Sequence, residues 1–155
     1  MPDMGTIHAS PLASIPLGQT LLGKGIISQD QLNIALTEQK RFKAPLGKVS
    51  YHVPCHLRVQ NLGLKTRDLM RLVPGTSVDT IERCSGHNGT YGVKHEFRAA
   101  SVRIGRAVVQ RVESAQADHY TSDCPMAAQQ IASGLAQPRS PEHPLRLLRI
   151  AYGLS

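Results

Sequence analysis

Strand-like and helix-like segments alternate through the second part of this chain. The strand-like segments span residues 48–53, 77–83 and 118–122. The helix-like segments span residues 66–72, 97–112 and 126–133, and another begins at Pro144. Strands separated by helices are typical of a parallel sheet, because parallel strands need long crossover connections. We therefore predict an α/β fold with a small parallel sheet and flanking helices.

The longest predicted helix carries an apolar stripe at three- and four-residue spacing, which is the pattern of one buried helix face. We expect this face to pack in the core. Its members are Phe97, Ala100, Ile104, Val108 and Val112.

The chain is predicted to comprise three parts. Residues 1–14 lack periodicity, and we expect a flexible leader there. Residues 15–43 are expected to form a short helical appendage of two helices, the first ended by Gly25 and the second capped by Ser28 or Asp30. Residues 44–155 are expected to form the α/β domain, in which the proline-containing segment 136–144 is a surface loop.

The composition favours a soluble protein and gives little support to nucleic-acid binding. No apolar run approaches the roughly 18 residues of a membrane span, and the N-terminus lacks a basic segment followed by an apolar one. The formal charge is +7, but the basic residues are dispersed, and the chain has two Phe, four Tyr and no Trp to stack on bases. We expect a cytoplasmic protein without a nucleic-acid partner.

Three cysteines are the main candidates for a functional site. An odd number does not imply a closed disulfide framework, and reduced thiols are inert, catalytic or metal ligands. Cys55, Cys84 and Cys124 each directly follow a predicted strand. Because the carboxyl ends of parallel strands border the crevice where such sheets bind ligands, we expect the three thiols to converge. Cys124 also precedes a helix that starts at Pro125, and the helix dipole there favours a thiolate.

The residues beside the cysteines are typical of a loop that encloses a metal group. Gly86, Gly89 and Gly92 let the backbone fold closely, and their amide groups are expected to hydrogen-bond sulfur; an ordinary tight turn is the alternative. His56 and His87 lie one and three residues from a cysteine and are expected to ligate or to hydrogen-bond. His52 is expected to lie beside the polar face of a strand. The other histidines are expected to be incidental: His8, His95, His119 and His143.

Three motifs resemble a known family. They read PLGKVSYHVPCHLRVQNLG, RCSGHNGTYGVK and SDCPMAAQQI, followed by HPLRLLRIAYGL. Residues 44–154 are similar to the cysteine-rich CCG domain of the iron–sulfur (C) subunit of anaerobic glycerol-3-phosphate dehydrogenase and of heterodisulfide reductase-like subunits. The resemblance implies half of a CCG-type pair, an iron–sulfur cluster, and electron transfer from a flavin-containing dehydrogenase subunit to quinone or another acceptor.

The chain departs from this family at two cysteine positions. The family's Cys-Cys-Gly is Cys84-Ser85-Gly86 here, and its closing Cys-x-x-Cys ends in Ala127. Three cysteines form an incomplete set for a cluster of the 4Fe–4S type, which takes four thiolates. The resemblance therefore implies that a histidine, a non-protein ligand or a second cysteine-rich chain completes the site. It also implies that the chain is not catalytic alone, and that it sits at the inner face of the membrane only through a complex.

The segment PLGQTLLGKGIISQDQLNIALTEQK resembles the N-terminal domain of type II secretion and type IV pilus ATPases. Some of these domains bind cyclic di-GMP through paired motifs, whereas this chain has one copy, with Pro16 where the binding versions have arginine. The matching residues are Leu17, Gly18, Leu22, Gly25, Leu32, Leu36 and Gln39.

Two other functions are compatible with the cysteines. The first is a metal-free or zinc-binding docking module, a truncated or fused remnant of the same fold, since three cysteines and one histidine form a legitimate zinc set. The second is a cysteine-nucleophile enzyme that pairs Cys55 with His56 or Cys84 with His87. Adjacency in sequence alone does not supply the geometry that such an enzyme needs.

Overall fold

The structure is a computed structural model that describes residues 17–61 and 63–154. The chain divides into two compact units after Glu38. The predicted leader, residues 1–14, and Pro16 lie outside the described residues.

The first unit contains two helices, α1 (Leu17–Gly23) and α2 (Gln29–Gln39). Ser28 caps α2 in a reciprocal arrangement, since its Oγ accepts the Gln31 N–H at 3.2 Å and its own N–H donates to Gln31 Oε1 at 2.8 Å. Leu32 of α2 is buried against Gly18, where an added Cβ would lie 2.5 Å from a Leu32 methyl carbon. The predicted helical pair is confirmed, and its resemblance to secretion ATPases stays a prediction.

The second unit is built on a three-stranded parallel sheet. Its strands are β1 (Gly47–His52), β2 (Thr76–Ile81) and β3 (His119–Ser122). The order is β2-β1-β3, so β1 hydrogen-bonds both neighbours. The predicted parallel α/β fold is therefore confirmed.

Helices cover both faces of the sheet. On one face a core around Val49 and Tyr51 packs against α3, α4 and α7, and on the other a core around Tyr120 packs against α5 and α6. None of the helices in the described residues has both the length and the apolar character to cross a membrane. The helices are α3 (Cys55–Val59), α4 (Lys65–Met70), α5 (Arg98–Ala115), α6 (Pro125–Ala132) and α7 (Pro144–Ala151), with 3-10 turns at Tyr91–Val93 and His95–Phe97.

The buried face of α5 differs from the predicted stripe. Val108 and Val112 are buried as expected, but Phe97 and Ile104 are 38% and 47% exposed. Small residues replace them on the buried face, which consists of Ser101, Gly105, Val108, Val112 and Ala115.

Small residues are needed on α5 because the loop after β2 packs directly on its backbone. A Cβ on Gly105 would lie 2.7 Å from the Ser85 carbonyl oxygen, and one on Gly86 would lie 2.2 Å from the Ser101 carbonyl oxygen. The close approach therefore leaves no room for a side chain at Gly86 or at Gly105. A position that is buried for this reason carries no apolar residue by which the sequence could reveal it.

Two further differences concern connections. The short helix α3 was not predicted, and β2 ends at Ile81, so that Cys84 follows it at a distance of three residues rather than directly. Within the predicted loop 136–144, Glu142 forms an isolated parallel bridge with Thr121 of β3. The Glu142 N–H donates to the Tyr120 carbonyl oxygen at 3.0 Å, and Thr121 Oγ1 donates to the Glu142 carbonyl oxygen at 2.5 Å.

The Gly105→Ala substitution should destabilise the protein by about 1–3 kcal/mol, the usual cost of overpacking. Alanine favours helix over glycine by about 1 kcal/mol, so a net loss would report the collision with the Ser85 carbonyl group. The free energy of unfolding is measured by denaturant titration. Gln110→Ala, at an exposed position of the same helix, is the control and should be nearly neutral. Equal stability of Gly105→Ala and wild type would contradict the close packing.

Candidate functional site

The three strands end at one edge of the sheet, and a cleft of about 450 Å³ lies there. Its lining includes seven of the residues singled out in the sequence but not Gly92, and the expected convergence of the three cysteines is observed. We call it the cysteine cleft. The seven residues are Cys55, His56, Cys84, Gly86, His87, Gly89 and Cys124.

Two larger grooves among the described residues, of about 550 and 640 Å³, have no cysteine or histidine in their linings.

Each cysteine occupies a different local structure. Cys55 is the first residue of α3, Cys84 lies in the loop after β2, and Cys124 is the N-cap residue of α6. All three are free thiols; Cys55 and Cys84 are exposed, and Cys124 is half-buried. They are therefore accessible from the same cleft without being linked to one another.

The Cys84 loop is held by hydrogen bonds that end on Gly86. The Gly86 N–H donates to Cys84 Sγ at 3.4 Å, as expected for a loop that solvates a thiolate. The Gly86 carbonyl oxygen accepts from Ser101 Oγ at 2.9 Å, and Gln130 Nε2 donates to the same hydroxyl at 2.8 Å. Gly86 has φ +78°, a conformation that glycine adopts without strain.

The Cys124 loop is anchored through its neighbour Asp123. The Tyr51 hydroxyl donates to one carboxylate oxygen, and Thr66 Oγ1 donates to the other at 2.7 Å. Burial and the adjacent Asp123 carboxylate raise the pKa of the Tyr51 hydroxyl, which therefore remains a donor. Residues on β1 and α4 thus fix the segment that carries Cys124.

His52 is a site residue that was not anticipated from the sequence, where it was placed beside the polar face of the first predicted strand. It is 1% exposed, lines the cysteine cleft, and lies 2.9 Å through Nε2 from the Arg83 carbonyl oxygen. Its Nδ1 lies 3.1 Å from Ser122 Oγ. Its only signal in the sequence was its position at the end of the first strand.

Of the other histidines, His119 pairs with Glu142 at 2.5 Å, and His143 caps α7 by accepting the Leu145 N–H at 3.2 Å. Neither lines the cysteine cleft, and neither does His95. His8 lies outside the described residues.

Both positions at which the chain departs from the CCG pattern lie in the cleft lining. Ser85 and Ala127 are each 5% exposed. Ser85 Oγ accepts the His87 N–H at 3.4 Å, and Ala127 lies in the first turn of α6. A cysteine at either position would place an additional thiol in the cleft.

A single metal ion does not fit this arrangement. Among the described residues, no three His, Cys, Asp or Glu side chains come close enough together to hold one ion. Tetrahedral zinc with bonds of about 2.3 Å requires its sulfur ligands to be about 4 Å apart. The zinc alternative is therefore unsupported, whereas a cluster, which binds each thiolate to a different iron, needs ligands that are more widely spaced.

Sequence comparison relates part of this chain to a dehydrogenase subunit. It is 35% identical over 102 residues to the C subunit of anaerobic glycerol-3-phosphate dehydrogenase from Escherichia coli K12, and equally to that from Escherichia coli O157:H7. The match covers 65% of this chain and 25% of each relative, so the chain spans about a quarter of their length. No protein-family model matches the chain.

The buried imidazole of His52 should make stability depend on pH. Burial is the main cause that lowers its pKa below the ordinary 6.5, and the charge of Arg58 adds to it. As pH falls below about 6.5 the unfolded chain binds the proton first, so the free energy of unfolding should decrease, and above that pH the contribution is complete. The measurement is denaturant titration between pH 5 and 8 of wild type and His52→Gln. If both proteins had the same pH dependence, the buried neutral imidazole would be ruled out.

Proposed function

We propose that this chain is an iron–sulfur-binding electron-transfer module of an anaerobic dehydrogenase or heterodisulfide reductase-like complex. The observation that carries the proposal is the convergence of Cys55, Cys84 and Cys124 on one cleft at the carboxyl edge of a parallel sheet. The relation in sequence to the C subunit of anaerobic glycerol-3-phosphate dehydrogenase supports the same assignment.

The chemistry and the accessibility of the donors support an iron–sulfur group. The three thiols are free, at least partly exposed, and borne on three separate segments. An amide N–H already points to the Cys84 sulfur from Gly86, and such bonds to sulfur raise the potential of a cluster. Cys55, Cys84 and Cys124 would hold the group, with His56 or His87 as further donors from the same lining.

A bound iron–sulfur cluster supplies one-electron oxidation and reduction. The work of the chain is to hold the thiolates and to limit water around them. Tyr91 and Ile104 contribute apolar surface to the cleft lining, and the Tyr91 ring stacks on Phe97 with centroids 4.6 Å apart. When less water surrounds a cluster, the protein groups around it have more influence on its reduction potential.

The number of thiols bears on the partners. Three free cysteines are one short of the four thiolates of a 4Fe–4S cluster, so in this proposal partners supply the remaining ligand and the flavin chemistry. These are a flavin-containing dehydrogenase subunit and a second cysteine-rich chain. The complex would operate in the cytoplasm, at the inner face of the membrane when its acceptor is quinone.

Anaerobic reconstitution with iron and sulfide should give the wild type a broad visible absorption and bound iron. Cys84→Ser should lose both, because it removes one of three thiolates. Ala127→Cys should increase iron and sulfide per chain, because it adds a thiol to the same lining. Far-UV circular dichroism checks that both variants fold.

The proposal would be overturned if both the wild type and Ala127→Cys bound no iron. It would also be overturned if Cys84→Ser had the same visible spectrum as the wild type. A colourless protein that retains one zinc would instead support the docking module.

A further inference from the structure

One buried side chain connects the segments that carry all three cysteines. His52 ends β1, and Val53 and Pro54 connect it to Cys55, the first residue of α3. Its ring reaches Arg83, the residue before Cys84, on one side. On the other side it reaches Ser122, whose hydroxyl also accepts the Cys124 N–H at 3.4 Å.

The hydrogen-bond partners determine which ring nitrogen carries the proton. A carbonyl oxygen only accepts, so Nε2 must donate to Arg83. Nδ1 is then free to accept the proton of the Ser122 hydroxyl, whose lone pairs receive the Cys124 N–H. Burial favours this neutral form, since it lowers the pKa of the imidazole. In the neutral ring, only the tautomer with the proton on Nε2 satisfies both nitrogens.

We propose that His52 is the positioning residue that sets the Cys84 and Cys124 segments relative to Cys55. The inference deepens the proposed function, on which the role of the three thiols rests. His52 is not itself a ligand in this account; it acts through Arg83 on one side and through Ser122 on the other. Removing one of its two bonds should therefore release one cysteine segment and leave the other in place.

Two substitutions separate the two bonds. His52→Gln retains a donor near the position of Nε2 and should keep the bond to Arg83. His52→Asn retains an acceptor near the position of Nδ1 and should keep the bond to Ser122. His52→Phe removes both bonds and keeps a ring. Ser122→Ala removes the hydroxyl, and with it both the bond to Nδ1 and the link to the Cys124 N–H, while the bond to Arg83 remains.

The readout is the rate at which each cysteine of the full-length, iron-free protein reacts with a maleimide, quantified by peptide mass spectrometry. The Cys124 rate should rise several-fold in His52→Gln and Ser122→Ala. The Cys84 rate should rise several-fold in His52→Asn, and both rates should rise in His52→Phe. Val49→Ala creates a cavity on the opposite face of the same strand and is the control for lost stability. It should raise the reaction rates of all three cysteines together.

A uniform rise in the His52 variants like that of Val49→Ala, or unchanged rates, would overturn the proposal. So would nitrogen NMR of the wild-type imidazole showing the proton on Nδ1, a test that needs no variant. The labelling requires no metal, so the two proposals can fail separately. If the labelling rates of single cysteines change as expected but no iron binds, the cluster is refuted and the positioning role stands. If iron binds but the His52 variants change all labelling rates equally, the positioning role is refuted and the cluster stands.

Discussion

The central strand β1 is hydrogen-bonded on both sides and buried on both faces, and the site depends on this arrangement. Val49 and Tyr51 are completely buried in one core, while His52 is buried on the opposite face. Because both neighbours run parallel to β1, all three strands deliver their carboxyl ends to one edge. Segments that are distant in sequence therefore meet there.

Convergence of the strands places the cysteines only approximately, and a second set of contacts refines their positions. The Cys84 loop lies directly on the backbone of α5, because Gly86 and Gly105 leave no side chain between them. The Cys124 loop is held by the Asp123 carboxylate between a tyrosine and a threonine. One loop is thus fixed mainly by steric fit and the other mainly by charge-assisted hydrogen bonds.

The fold was largely predictable because its determinants are periodic. Polarity alternates along β1, and each cysteine follows a strand by two or three residues, so the parallel sheet and its cysteine-lined edge could be inferred. Val108 and Val112 on the buried face of α5 were predicted, but its first part was missed because Ser101 and Gly105 carry no hydrophobic signal. His52 was missed for a related reason: a polar residue at a strand end gives no indication that it is buried and doubly bonded.

The bridge between Thr121 and Glu142 has a consequence for association between chains. Strand β3 is at the edge of the sheet, where unpaired backbone groups are a template for a strand from another molecule. Glu142 already occupies the Tyr120 carbonyl group, and its side chain is held there by His119. A foreign strand must displace this pair before it can add to β3, so the proline-containing segment protects this end of the sheet against edge-to-edge aggregation.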